Sequence, residues 1–99
     1  MFFLLFYDYV ENVVERRQPF RAAHLALANE WVAAGRLILG GALADPVDGA
    51  VLLFRVPDRA AVGEFVRQDP YVANGLVNGW RIRPWTVVVG SPELVGHAS

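Results

Sequence analysis

Two side chains in this 99-residue sequence are candidates for chemistry. They are His24, in Arg21-Ala22-Ala23-His24-Leu25, and Asp69, in Asp69-Pro70-Tyr71. The chain has two histidines, and the other, His97, sits in the last three residues. An unperturbed imidazole titrates near ~6.5, so it can accept or donate a proton at neutral pH. A neutral histidine can take a proton from a carbon next to a carbonyl, or from a phenol, and return it elsewhere. An aspartate hydrogen-bonded to its other ring nitrogen would fix the tautomer and stabilise the imidazolium, and such a positioned group contributes about 10²–10⁴ in rate. Arg21, Arg81 or Arg83 would suit a carboxylate or a developing enolate. Tyr71 would donate a hydrogen bond or wall the pocket with Trp31 and Trp85.

Each residue also has a purely structural account. A lone histidine on an apolar helical stripe is more often a packed core residue than a catalyst. Asp69 before Pro70 is well explained as a helix N-cap. One carboxylate can serve both ends, because it has several lone-pair sites. A metal site is not expected: His24 and Asp69 supply two ligands where a catalytic zinc normally takes three from the protein. The chain has no cysteine, which excludes thiol catalysis and zinc–thiolate sites. It has no G-x-G-x-x-G, no phosphate-binding loop and no G-x-S-x-G. Ser91 and Ser99 lie near the chain end and are not credible nucleophiles.

The elements that must position these residues follow from hydrophobic periodicity. Phe2 to Tyr9 is a short apolar, aromatic run that reads as a strand covered on both faces. Asn12 to Arg17 is polar and reads as a loose helical turn, with Glu15, Arg16 and Arg17 on a solvated face. Pro19 suits a helix's first turn. Phe20, His24, Leu27, Trp31 and Ala34 then recur at helical spacing as one narrow stripe, with Leu25 and Val32 beside it, and Gly35 reads as the C′ stop. Arg36 to Leu43 is a second strand. Its Gly40-Gly41 marks a bulge or a place where a ligand approaches the backbone closely. Asp45 to Gly49 is turn chemistry, and Ala50 to Val56 is a third strand, paired as a hairpin with the second. Asp58 caps a second helix with Ala61, Val62, Phe65 and Val66 on its buried side. Asp69 caps a short third helix, stopped by Gly75. Val77 to Val89 is the last strand, and Pro84 within it implies a sheet edge, a bulge or a change of partner. The order β-α-β-β-α-β predicts a ferredoxin-like α+β fold, an antiparallel sheet with its helices on one face.

Composition bounds the rest. The length suits one core, assigned to residues 1–90, with 91–99 as a flexible C-terminal tail carrying a solvent-exposed His97. Fully 55% of residues are hydrophobic and 19% charged. That is apolar for a small domain with a large surface to cover, and it predicts a homodimer or higher homo-oligomer. The net charge is −1 and every basic side chain is arginine. Nothing there suits nucleic acid. Met1 to Phe6 lacks the basic flank of a signal peptide and falls far short of the ~18 apolar residues of a membrane span. The expectation is a cytoplasmic protein without nucleic-acid or membrane partners.

Read together, Arg21-Ala22-Ala23-His24-Leu25, Gly35-Arg36-Leu37 with Gly40-Gly41, and Asp69-Pro70-Tyr71 before the last strand resemble the YciI-like (YCII-related domain) family. The resemblance runs from Phe3 to about Val89 and is weakest over Glu11 to Arg17. It implies a dimeric α+β barrel with a cleft lined by a histidine and an aspartate, which carry over onto His24 and Asp69. Some members of the family act as dehydrochlorinases in the breakdown of chlorinated aromatic compounds, and related barrels include muconolactone isomerases. The resemblance implies a cofactor-independent lyase or isomerase, with a dehydrochlorinase-like reaction as one form, acting by proton transfer on a small aromatic or enol-type acid. His24 and Asp69 would be catalytic, with Arg21, Tyr71, Gly40 and Gly41 at the substrate. The alternative is a non-catalytic small-molecule-binding or dimeric interaction module of the same fold.

Overall fold

Strand β1 (Phe2–Tyr9) runs through the middle of a four-stranded sheet in the computed structural model, which describes residues 1–95. The strand order is β2-β3-β1-β4, with β2 spanning Leu37–Leu43, β3 Gly49–Arg55 and β4 Val77–Trp85. Every neighbouring pair is antiparallel. Helices α2 (Arg21–Ala33) and α3 (Arg59–Gln68) cover one face. This is the ferredoxin-like α+β arrangement the pattern predicts.

Alternation along β1 sends Phe3, Leu5 and Tyr7 to the helix side, opposite Phe54, Leu52 and Ala50 of β3. There Trp31 of α2, Phe65 of α3 and Phe54 meet edge to face, with ring centroids 5.2–5.8 Å apart. Phe54 and Phe65 are fully buried, and each burial contributes about 1.5–3 kcal/mol relative to exposure. The capping signals hold. Asp58 accepts from the Ala61 amide, and Gly35 and Gly75 both stop helices at positive φ, a conformation that costs glycine little.

Four expectations change. Phe2, Leu4 and Phe6 of β1 point to the opposite sheet face, which neither α2 nor α3 covers; Val87 packs there against Phe2 and Leu53, but Leu4 and Phe6 are only half-buried and Asp8 is exposed. Covering on both faces is therefore not achieved within one chain. Second, β4 stops at Trp85 rather than Val89, because its partner β1 begins at Phe2, opposite Trp85, and offers no strand beyond. Pro84 sits where it can be tolerated, on the edge strand. Third, Pro19 belongs to a separate 3₁₀ turn, Gln18–Phe20, and α2 begins after it. Fourth, the α2 stripe is shallow: Trp31 is buried, but His24 and Leu27 are half-buried and Ala34 is exposed. The helix's first turns overhang a cleft instead of lying on the sheet. Helix α1 (Val13–Arg16) matches the predicted turn and buries Val13. Helix α4 (Pro70–Ala73) matches the predicted third helix.

Within the stretch read as a tail, Pro92–Val95 forms one helical turn, α5. His97 lies outside the described residues. Among the described residues no helix is long and apolar enough to cross a membrane.

Candidate functional site

Asp69 organises the site. It follows α3 in an extended conformation that suits a residue before proline, and it caps α4, accepting from the Tyr71 amide at 3.0 Å. Its carboxylate is fully buried. Such a group is costly unless donors surround it. Three do: the Tyr71 N–H and His24 Nδ1 at Oδ1, the latter at 2.7 Å, and the Tyr7 hydroxyl at Oδ2, at 2.8 Å. A carboxylate only accepts, so the network assigns the Nδ1 proton to His24. That leaves Nε2 with no partner among the described residues but with access to the cleft.

The imidazole is held on its face as well as its edge. Its ring lies parallel to that of Tyr71, tilted by 5°, with centroids 3.9 Å apart. The segment Asp69-Pro70-Tyr71 thus clamps His24 twice, by a carboxylate at its edge and a phenol ring on its face. The histidine side chain is 12% exposed, enough to meet a ligand while most of its surface is packed.

His24 and Tyr71 border a cleft of about 330 Å³ between α2, β2 and the ends of β1 and β3. That lies at the small end of the ~300–1,000 Å³ typical of ligand pockets. Tyr9 and Tyr71 supply aromatic wall and Leu37, Ala50 and Leu52 apolar floor. Burial pushes the Tyr9 hydroxyl up to about 12, reinforced by Tyr71 and the Asp69 charge and opposed by Arg17. Burial also raises Tyr71, opposed by Arg17 and Arg21. Tyr7 is raised most, by burial first and then by the Asp69 charge and hydrogen bond. All three phenols therefore remain hydrogen-bond donors at neutral pH.

Six of the residues singled out in the sequence come together, and four do not. Asp69 lies beneath the cleft, bonded to His24, while His24, Arg21, Tyr71, Gly40 and Gly41 line it. The glycines differ in their reason for being there. A Cβ on Gly40 would lie 2.9 Å from Leu52 Cγ, so the close approach at that position is a core side chain; Gly41 has nothing within 4 Å. The bulge falls earlier, between Leu37 and Leu39. Trp31 does not wall the pocket, being committed to the core, and Trp85 lies on the far sheet face. Arg81 and Arg83 share that far face, opposite Phe6 and Leu4, and Arg81 stacks on Phe6 at 4.7 Å.

Three site residues escaped the sequence reading. Tyr7 and Tyr9 share the helix-covered face of β1, and a tyrosine on a covered face needs a partner for its hydroxyl. That was a usable signal for Tyr7. Arg17, read as solvated, is half-buried and lines the cleft, and its Nε is sealed from water without a partner among the described residues. Its one sequence signal is its place a helical turn before Arg21. Among the described residues no three potential metal ligands gather at one place.

The fold is that of a ferredoxin-like α+β protein, and the histidine–aspartate pair borders a ligand-sized cleft beside its main helix. The YCII-related domain model matches residues 1–86, and the chain belongs to that family. Its structure is similar to 5-chloro-2-hydroxyhydroquinone dehydrochlorinase from Burkholderia phenoliruptrix AC1100, solved in complex with 2,5-dihydroxybenzoquinone. The TM-score is 0.76 at 24% identity, over 86% of this chain and 93% of that one. It is also similar to an antibiotic biosynthesis monooxygenase (TM-score 0.53, 14% identity, 90% and 100% covered) and to a protein from Agrobacterium tumefaciens (0.52, 12%, 84% and 89%). At these identities the likeness establishes the fold. No curated protein matches the sequence at a significant level.

Proposed function

We propose that the cleft is the active site of a cofactor-independent lyase or isomerase in which His24 moves a proton on a small aromatic or enol-type acid. The observation that carries this reading is the 2.7 Å contact between His24 Nδ1 and Asp69 Oδ1, which leaves Nε2 as the free nitrogen at the cleft. Nε2 takes a proton from the substrate's hydroxyl or from a carbon next to its carbonyl. Asp69 stabilises the imidazolium and keeps it oriented. In an isomerisation the proton returns at another atom. In a dehydrochlorination the carbon–chlorine bond breaks and chloride leaves with its electron pair. Arg21 and Tyr71 border the substrate, as do Gly40 and Gly41, of which Gly41 leaves open space beside it. The quinone bound by the structurally similar dehydrochlorinase supports a planar, oxygen-bearing ring as ligand.

The working form in this reading is a homodimer packed through the open sheet face. Leu39, Leu43 and Trp85 are about half exposed there beside half-buried Leu4 and Phe6. Light scattering should give about twice the 10.9 kDa chain mass, and a monomer would count against that assembly.

The test of the chemistry is a screen of enol and hydroxylated chloroaromatic acids, followed by NMR for solvent deuterium incorporation and by chloride release. His24→Ala should lower kcat about 10²–10⁴-fold while ligand binding persists. Turnover undiminished in His24→Ala would sink the catalytic reading and leave a binding module.

A further inference from the structure

We propose that Arg17 and Arg21 form an anion subsite at the cleft, and that its ligand is a small planar acid bound through a carboxylate. The proposal rests on the cleft being the ligand site; it does not require His24 to perform chemistry there.

The cleft lining contains two guanidinium groups and no aspartate or glutamate. Asp69 lies beneath it, fully buried and already engaged by three donors. Neither arginine forms an ion pair among the described residues; the two pairs there are His24–Asp69 and Arg67–Glu64. Two positive charges, Arg17 half-buried and Arg21 exposed, with no carboxylate in the lining itself, attract anions to a concave site.

Arg17 carries the argument further. Its Nε is out of contact with water and has no acceptor among the described residues. That closed-off Nε cannot itself meet a ligand, but the terminal guanidinium nitrogens are not sealed from water and make no hydrogen bond among the described residues, and a cationic donor group beside a cleft gains from an acceptor that arrives there. The planar guanidinium presents its N–H groups as a fork that matches the two oxygens of a carboxylate. Both charges act on the aromatic wall: Arg17 opposes the burial-driven rise of Tyr9 and Tyr71, and Arg21 that of Tyr71. An acid whose carboxylate meets the arginines therefore has Tyr9 and Tyr71 at hand for its ring. The cleft volume of about 330 Å³ suits a single ring.

Benzoate and its neutral isostere benzamide are the probes, titrated into the full chain and followed by calorimetry and by NMR. Benzoate should bind saturably, and benzamide at least about tenfold more weakly. Arg17→Gln should weaken benzoate about ten- to a hundredfold, the worth of a charge-assisted hydrogen bond, and leave benzamide unchanged, which also reports an intact cleft. Arg17→Lys keeps the charge, loses the fork and should fall between. Arg21→Gln should weaken benzoate in the same direction. Equal binding of the two probes, no saturable benzoate binding, or unchanged benzoate affinity in both glutamine variants would overturn the subsite. Those results leave the role of His24 standing. Conversely, full turnover in His24→Ala would remove the catalytic reading and leave the anion subsite intact.

Discussion

Tyr7→Phe removes one oxygen atom and tests the whole site. The Tyr7 hydroxyl donates to Asp69 Oδ2 at 2.8 Å from a residue only 2% exposed, and the acceptor is fully buried. The phenylalanine ring fills nearly the same volume, so the cavity contribution is small. What is lost is a hydrogen bond to a carboxylate that water cannot reach. Hydrogen bonds to charged groups contribute ~1.5–3 kcal/mol. A loss of about 2 kcal/mol corresponds to roughly 8–16 °C in Tm for a domain of this size. Tyr9→Phe is the control: its ring shares the same strand face, but its hydroxyl makes no hydrogen bond to the described residues, and its cost should stay within about 0.5 kcal/mol. Urea denaturation at fixed protein concentration measures both. A double-mutant cycle with Asp69→Asn should show a coupling of about 1 kcal/mol or more, because the two side chains share one bond. If Tyr7→Phe proves no more costly than Tyr9→Phe, or the cycle shows no coupling, the claim that Tyr7 holds the Asp69 carboxylate is wrong. Activity, where a substrate is in hand, should fall in kcat more than KM, since Tyr7 reaches the substrate only through Asp69 and His24.

Two further outcomes follow from the same geometry. Gly40→Ala would place a methyl 2.9 Å from Leu52 Cγ and should destabilise by about 1–3 kcal/mol; Leu52→Ala in the same chain should recover part of that relative to the sum of the single changes, and simple additivity would refute the clash. The phenols give the alkaline signature. Tyr9 is pushed up to about 12, Tyr7 higher still, and Tyr71 is also raised, whereas an unfolded tyrosine titrates near ~10. The folded protein therefore holds protons that the unfolded chain releases. The resulting stabilisation is complete below pH ~10 and, for Tyr9, is lost as pH rises from there through about 12. Ultraviolet phenolate absorbance should appear near pH 10 in urea-unfolded protein and later in native protein; coincident titrations would contradict the buried tyrosine cluster.

The elements themselves were legible because their signals are local. Asp58 and Asp69 cap the helices they precede, Gly35 and Gly75 stop helices at positive φ, and β1 alternates through Phe3, Leu5 and Tyr7. Each depends on residues within a turn or two. His24 and Asp69 were legible as candidates because a lone imidazole and an Asp-Pro cap are unusual as residue types. Their contact joins residues 45 apart, and no periodicity specifies such a pairing. The resemblance to a family suggested it, and the folded chain brings the two together.

What the sequence determined by itself was therefore the order of elements, the caps and the shortlist of reactive side chains. Tertiary structure decided which of them meet. Strand order put β1 in the centre, so Tyr7, 62 residues from Asp69, reaches its carboxylate. The start of β1 at Phe2 ended β4 at Trp85. Strand register turned Arg81 and Arg83 to the far face, and the turn before α2 folded Arg17 into the cleft beside Arg21. A hydrophobic period reports which residues share a face of one element. It carries no information about what lies opposite, because the partner comes from elsewhere in the chain and is chosen by the packing of the whole.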